Sequence, residues 1–284
     1  MNVTYKNTKN IAILLAAYNA EKYLAEQIDS LLTQTNSDWT LYIRNDGSKD
    51  NTSKIISDYC EKYSNIIEID KGGINLGCRN NFFRLLEVVD SEYYMFCDAD
   101  DVWLPNKIEI SFNRVLELEI KYPNIPILAH SDAIICDNKL NVISESFWKS
   151  TGINPEKFVK YNYICICCTV GGAKSIFNKK VKEFIFPLEN NTLIFDYWIA
   201  IKVAKHGIIS VIDIPLIKYR QHENNLLGVT VGKGNSFLNK LRNAKSLFKQ
   251  YREESNKLKT IGYGSFTKYL FYKAIVIYKI RFQK

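Results

Sequence analysis

The sequence predicts an α/β fold: a mostly parallel sheet flanked by helices, followed by a basic helical extension at the C-terminus. Three observations carry that expectation. Strand and helix signals alternate through the first hundred residues. The first strand is a continuous apolar run. Charge is uneven: of a net charge of +8, much sits after Gly234, where only Glu253 and Glu254 oppose a series of lysines and arginines. At 284 residues the chain can hold one large domain and an appendage of about 50–60 residues.

Ile11–Ala17 is apolar without alternation, as expected of a strand buried on both faces. Tyr23, Leu24, Ile28, Leu31 and Leu32 recur at helical spacing over residues 22–34. Leu41–Ile43 reads as a second strand that ends in the turn cluster Asn45-Asp-Gly-Ser48. A helix over Lys54–Tyr63, a strand at Ile66–Ile69, a helix over Asn81–Val89 and a strand at Tyr93–Cys97 follow. This order implies right-handed βαβ units. In such sheets ligands bind beyond the carboxyl ends of the strands. Those ends carry Tyr18-Asn19, Asn45-Asp46-Gly47 and Asp98-Ala-Asp-Asp101.

Pro105 suits the first turn of a helix that runs to Lys121. Ile127–Ser131, Ala133–Cys136 and Leu140–Ile143 read as strands, and Ser144–Cys168 as an aromatic, irregular stretch. A helix over Asp196–His206 precedes strands at Ile208–Ile214 and Leu216–Arg220. The expected organisation is a domain over 1–225 and a tail over 226–284. Within the domain, about 1–105 would serve a shared cosubstrate and about 106–225 a variable partner.

Composition excludes several classes. The seven cysteines are scattered and odd in number, which fits buried small hydrophobes in a reduced cytoplasm, not a disulfide framework or a zinc site. No run of about 18 apolar residues and no signal-peptide pattern occur. The chain is therefore expected in the cytoplasm. Nucleic acid is not an expected partner, because no recognition motif accompanies the basic charge.

Asp98 and Asp100 stand two apart at a turn and can face one point. Two close carboxylates repel and are usually held together by something positive; a hard divalent cation that also bridges a diphosphate would do so. The plainer alternative is an acidic, solvated turn capping the helix after Pro105. Asp46 could accept from a nucleobase imide or a ribose hydroxyl, or could form an Asx turn. Arg79 could face a base or phosphate, or be surface. Asp196, between Phe195 and Tyr197-Trp198, suits general-base work in partly desolvated surroundings, or a helix N-cap. His222 could ligate the same cation or touch diphosphate, or be a surface imidazole. His130 and His206 form no constellation with a nucleophile.

Several ordered segments resemble one family. They are Leu14-Leu-Ala-Ala-Tyr-Asn-Ala20, Arg44-Asn-Asp-Gly-Ser-Lys-Asp50, Asn75-Leu-Gly77 and Phe96-Cys-Asp-Ala-Asp-Asp-Val-Trp103. Each is weak alone; in this order they resemble the inverting family 2 glycosyltransferases of GT-A fold, a Rossmann-like nucleotide-binding architecture, over roughly residues 9–225. Cys97–Pro105, Ser144-Glu-Ser-Phe-Trp-Lys149, Asp196-Tyr-Trp198 and Tyr219-Arg-Gln-His-Glu-Asn-Asn225 are similar to the rhamnosyltransferase-like branch, which builds bacterial surface polysaccharides from dTDP-rhamnose.

The resemblance implies a hexosyltransferase with one half for a nucleotide-sugar donor and the other for a glycan or lipid-linked glycan acceptor. Ala17, Tyr18 and Asn19 would line the nucleotide pocket, Asp46 would bind the base with Arg79 nearby, and Asp98-Ala99-Asp100 would be the DxD motif. Asp98 would lie near ribose, Asp100 and His222 on Mg2+ or Mn2+, and Asp196 would be the base. Trp103, Tyr197 and Trp198 would meet the acceptor. Phe195 departs from the Glu or His common before the base.

Other donors of the same class (UDP-glucose, UDP-galactose, UDP-GlcNAc) remain alternatives, as does a non-catalytic sugar-nucleotide-binding module. A haloacid-dehalogenase-type phosphatase is the rival that Asp98-Ala-Asp-Asp-Val102 formally fits. That reading leaves Asn45–Ser48 and His222 unused, and three βα units precede the motif.

In the tail, Phe237, Leu238, Leu241, Ala244, Leu247, Phe248 and Tyr251 recur at helical spacing, with Lys240, Arg242, Lys245 and Lys249 mostly off that stripe. This face could pack on the domain or lie on an anionic membrane. The favoured expectation is peripheral contact of 235–284 with the inner face of the plasma membrane. The oligomeric state is left open, a homodimer being the assembly considered.

Overall fold

The computed structural model describes residues 5–6, 10–188, 193–223 and 244–282. In chain order the elements are β1 (Tyr5–Lys6), β2 (Ile11–Ala17), α1 (Leu24–Leu32), β3 (Trp39–Asn45), α2 (Thr52–Lys62), β4 (Ile66–Glu68), α3 (Cys78–Val88), β5 (Val89–Asp90), β6 (Tyr93–Asp98) and β7 (Val102–Trp103). Then come α4 (Lys107–Lys121), β8 (Ile127–Cys136), β9 (Val142–Ser144), α5 (Phe147–Thr151), α6 (Tyr161–Ile164), β10 (Ser175–Asn178), α7 (Lys179–Ile185), α8 (Phe195–His206), β11 (Ile208–Arg220), α9 (Ala244–Lys259) and α10 (Phe266–Phe282). The expected tail stripe from Phe237 to Leu241 lies outside the described residues.

The main sheet runs β4-β3-β2-β6-β10-β8-β11-β7, with β9 on β8, while β1 and β5 form a separate short pair. β4, β3, β2 and β6 are mutually parallel, as expected. Beyond β6 the sheet is mixed: β10 is antiparallel to both β6 and β8, and β11 is parallel to β8 and antiparallel to β7. The parallel expectation therefore holds for the first half only. Ile127–Ser131 and Ala133–Cys136 merge into one strand. So do Ile208–Ile214 and Leu216–Arg220, across a register irregularity at Pro215, which cannot donate to a ladder.

The apolar run of β2 is explained by its position between two cores. Ile11, Ile13 and Leu15 face a core built with α1, α2 and α4 (Leu24, Ile28, Ile56, Ile108, Val115). Ala12 and Leu14 face a second core with α3 and α8 (Phe82, Phe83, Phe195, Trp198). That second core also takes in Leu258, Tyr263 and Tyr269, so the C-terminal helices pack on the domain. All seven cysteines are free. Cys97, Cys136 and Cys165 are buried as expected, but Cys78 is exposed.

The parallel register brings three strand ends to one edge, pairing Ala17 with Asn45 and Ala16 with Asp98. A cleft of about 880 Å³ opens there, lined on the far side by residues from β8 to β11.

Candidate active site

The first strand end is shaped by Asn19. Its φ of 47° lies in the left-handed region, which asparagine tolerates better than most residues. Its backbone N–H donates to Ser48 Oγ at 2.9 Å, and its side-chain Oδ1 accepts from Lys49 N at 2.9 Å. The first two loops are thereby tied together. Asn45 Oδ1 accepts from Ser48 N, three residues on, at 3.0 Å, so Asn45 and not Asp46 caps this turn.

Asp46 is buried in a network that the sequence reading missed. Its Oδ1 accepts from Arg44 Nη1 at 2.6 Å and Leu76 N at 2.8 Å, and its Oδ2 from Gly77 N at 2.8 Å. Arg44 also donates to Asn81 Oδ1 and the Ile74 carbonyl. Asp46 thus holds the Asn75–Gly77 turn and the start of α3 against the cleft. Arg44 stands in the family-like segment Arg44–Asp50, but its pairing with Asn81 and the Ile74 carbonyl, 37 and 30 residues on, leaves no local signal. Arg79 does not line the cleft: its Nε donates to the Leu193 carbonyl at 2.8 Å, and its guanidinium lies 4.8 Å from the Phe83 ring centre.

The acidic turn after β6 is not a solvated cap. Asp98 and Asp100 line the cleft, while Asp101 is fully buried. Burial first, then Asp100 and Asp196, pushes the Asp98 carboxyl up to about 7. Burial also holds Asp101 well above the usual carboxylate range. The next elements explain how His222 reaches this turn. β7 pairs with β11, Trp103 opposite Ile217, and this pairing brings Arg220 at the end of β11 alongside the acidic residues. Arg220 N donates to Asp101 Oδ1 at 3.0 Å and its Nε to the Asp100 carbonyl at 2.8 Å. Its other nitrogens reach the Asn138 carbonyl and Glu26. Two residues on, His222 Nε2 lies 3.0 Å from Asp100 Oδ2, and its ring packs 4.9 Å from that of Tyr23.

An imidazole nitrogen and a carboxylate oxygen at that separation can serve as two ligands of one ion. Among the described residues no group of three or more His, Cys, Asp or Glu side chains forms a metal cage. Two such side chains supply part of a coordination shell; magnesium usually takes one or two carboxylates and fills the remainder with water and substrate phosphates.

Across the cleft, Asp196 sits in the first turn of α8. Its Oδ2 accepts from Gly172 N at 3.1 Å and its Oδ1 from Tyr197 N at 2.7 Å. Burial raises its pKa, offset by those N–H groups and by the Lys174 ammonium. Phe195 packs its ring 4.2 Å from Phe82 and 5.0 Å from Phe96, which anchors the start of α8 to α3 and β6. The departure at this position is thus a core contact that sets the height of Asp196.

The acceptor residues expected from the sequence need correction. Trp103 and Trp198 are 2% and 0% exposed core side chains, and Tyr197 donates its hydroxyl to the Cys165 carbonyl at 2.6 Å; none of the three lines the cleft. The aromatic wall is instead Phe147 and Trp148 of α5. Asp132 on β8 places that helix, accepting from Trp148 N at 3.1 Å and from the Ser146 hydroxyl. Lys174 completes this side, its ammonium 4.3 Å from the Phe147 ring centre. No motif points to Lys174, which ends the short Gly172–Lys174 turn before β10 and meets its partners only in the folded chain. Ala17, Tyr18, Asn19, Asp46, Asp98, Ala99, Asp100, Asp196 and His222 all line this one cleft.

Residues 12–174 match the family described as Glycosyl transferase family 2. Among curated proteins, the UDP-Glc:alpha-D-GlcNAc-diphosphoundecaprenol beta-1,3-glucosyltransferase WfgD of Escherichia coli is 25% identical over 219 residues, 76% of this chain and 79% of that protein. The dTDP-rhamnosyl transferase RfbG of Shigella flexneri is 28% identical over 260 residues, 86% of this chain and 83% of that protein. Among solved structures, S. aureus TarS 1-349 in complex with UDP-GlcNAc superposes with a TM-score of 0.55 at 19% identity. It covers 78% of this chain, which in turn spans 62% of that chain's length. At that identity the likeness bears on the fold alone.

Proposed function

The chain belongs to glycosyl transferase family 2, and on that premise we propose that it transfers L-rhamnose from dTDP-rhamnose to a hydroxyl of a glycan or lipid-linked glycan acceptor, by a single displacement with inversion. The observation that carries the reading is the convergence, in one cleft, of the Asp98-Ala99-Asp100 turn, His222 beside Asp100, and Asp196 on the opposite wall.

Asp46 and the Ala17–Asn19 loop face the nucleotide. Asp100 and His222 would hold a divalent cation, and Asp98 beside them would face the ribose of the donor. When bound, that cation supplies charge stabilisation of the departing diphosphate. Asp196 accepts the proton of the acceptor hydroxyl. The oxygen so exposed forms a bond to the anomeric carbon, and the bond from that carbon to the diphosphate oxygen breaks with its electron pair. No side-chain nucleophile is required.

RfbG, named for dTDP-rhamnose, supports that donor. WfgD, named for UDP-Glc and a diphosphoundecaprenol acceptor, supports UDP-glucose as a second reading and a lipid-linked acceptor in either case. The test is release of nucleoside diphosphate from a panel containing both donors, with Mn2+ or Mg2+ and with EDTA. EDTA-sensitive release from dTDP-rhamnose alone is expected. Release from a UDP-sugar alone replaces the donor, and donor-induced thermal stabilisation without turnover, even with lipid-linked acceptor, would make the protein a binding module.

A further inference from the structure

α10 presents two unlike faces. Tyr269 and Val276, seven residues apart, are buried, Tyr269 donates its hydroxyl to Glu254 of α9, and Lys273 lies 3.1 Å from the same carboxylate. On that inner side Tyr272 accepts from Asn162 Nδ2 at 2.9 Å and meets the Tyr163 ring edge-on at 5.8 Å, which fixes the helix to α6. The other face is open. Phe271, Tyr278 and Phe282 are 62%, 55% and 70% exposed. At 3.6 residues per turn these three rings fall within a sector of about 40°. Arg281, exposed, borders that sector on one side; on the other, Lys279 lies with its ammonium 4.3 Å from the Tyr163 ring centre and Lys268 turns back to donate to the Tyr263 carbonyl at 3.0 Å. No Asp or Glu occurs between Phe266 and Phe282.

We propose that this face of α10 lies flat on an anionic lipid surface. Rings exposed in one line, with Arg281 exposed beside them and no acid on the helix, match the interface between acyl chains and anionic headgroups. The charge pattern also selects the occupant. A second copy meeting this face about a two-fold axis would set cation against cation with no acid to answer it. Among the described residues no helix is long and apolar enough to cross a membrane. The contact expected from sequence over 235–284 includes this helix, although the apolar stripe singled out there lies before and within α9. Tyr251 of that stripe packs against Tyr269 instead.

The location bears on the reaction. α6, which α10 grips, leads directly into Cys168–Lys174, one wall of the cleft. An acceptor carried on a lipid would reach Asp196 from that side. This consequence rests on the glycosyltransferase reading; the lipid contact itself does not.

The experiment is co-sedimentation of the full chain with vesicles of phosphatidylglycerol and phosphatidylcholine, against phosphatidylcholine alone. The wild type is expected to partition to the anionic vesicles. The triple variant Phe271→Ser, Tyr278→Ser, Phe282→Ser should partition at least about tenfold less, and Arg281→Glu should weaken binding to anionic vesicles only. Should the triple variant fail to fold by circular dichroism, Phe282→Trp replaces it: its fluorescence should be quenched by brominated phosphatidylglycerol. Wild type left in the supernatant, a triple variant that binds like wild type, or an unquenched Trp at 282 overturns the proposal. So does a wild-type dimer that the triple variant loses, with no vesicle binding. Donor turnover of the same proteins without vesicles reports separately on the catalytic reading.

Discussion

The backbone N–H of Gly172 donates to Asp196 Oδ2 at 3.1 Å, and a Cβ on Gly172 would lie 2.6 Å from two atoms of the Phe195 ring. The glycine is required by space: one methyl would push the ring, and with it the start of α8. Gly172→Ala should therefore lower stability by about 1–3 kcal/mol as an overpacked site. It should also cut kcat by up to about 100-fold, the cost of a misplaced catalytic group. Thermal melting and steady-state kinetics test the two effects; unchanged kcat with a lowered Tm would remove Asp196 from the base role.

Lys174 stands between the aromatic wall and the base. Its stem lies against Gly171, where a Cβ would come within 2.7 Å of Cε. Burial lowers the pKa of Lys174, and its charge in turn lowers that of Asp196. A base works ionised, so the rate should rise with pH through the Asp196 ionisation. Removing the nearby cation must move that acidic limb upward. Lys174→Met should shift the limb of the kcat profile to higher pH, with the largest rate loss on the acid side, and Lys174→Arg should restore it. A limb that stays in place would show that Asp196 does not control it.

His222 Nε2 and Asp100 Oδ2 lie 3.0 Å apart, and Arg220 ties the Asp100 backbone to the end of β11. His222→Ala should raise the Mg2+ or Mn2+ concentration for half-maximal turnover by at least about tenfold. The His222 side chain is 9% exposed and packs on Tyr23, so a lowered melting temperature is expected as well, and the metal titration is made well below the Tm of the variant. Equal metal dependence in the two proteins would place the cation elsewhere.

Asp46 and Arg44 form a pair with side chains 2% and 3% exposed. Asp46→Asn leaves the guanidinium buried with Asp70 still 3.5 Å away. The loss should thus fall at the low end for a broken buried pair, about 3 kcal/mol, or roughly 5 °C in Tm for a chain of 284 residues. Because the same carboxylate holds Leu76 N and Gly77 N, donor affinity should fall as well. Full donor affinity in a destabilised Asp46→Asn would limit Asp46 to a structural role.

What the sequence disclosed follows from where its signals are local. The βα units from β2 to β6 declare themselves through apolar periodicity and short turns, and the acidic strand end follows a strand of obvious type. The second half was read less well for physical reasons. β10 is four residues long and central, too short for periodicity to separate it from a loop. Trp103 and Trp198 look like ligand platforms in a linear sequence, yet their side chains complete the two cores; only burial distinguishes the cases. Arg44, Arg220 and Lys174 act through partners far along the chain. Contacts such as Arg220 with Glu26, 194 residues apart, leave no local pattern.

His130 supplies a test of stability independent of catalysis. It is fully buried in β8, edge-on to the Trp148 ring at 5.6 Å, with neither ring nitrogen hydrogen-bonded. Burial, with the Lys174 charge adding to it, lowers its pKa from 6.5 to about 3. The folded chain therefore keeps this imidazole neutral while the unfolded chain protonates it below pH 6.5. Its contribution is fully present above that value and is lost as pH falls toward 3. The slope cannot exceed about 1.4 kcal/mol per pH unit, so lowering the pH from 6.5 to about 5 should remove up to about 2 kcal/mol. His130→Phe keeps a ring against Trp148 but has no proton to take up. Its urea-derived stability should be flatter than that of the wild type across this interval, the difference closing above pH 7. Parallel pH profiles for the two proteins would mean that His130 is protonated alike in both states, and that β8 opens to solvent before the chain unfolds.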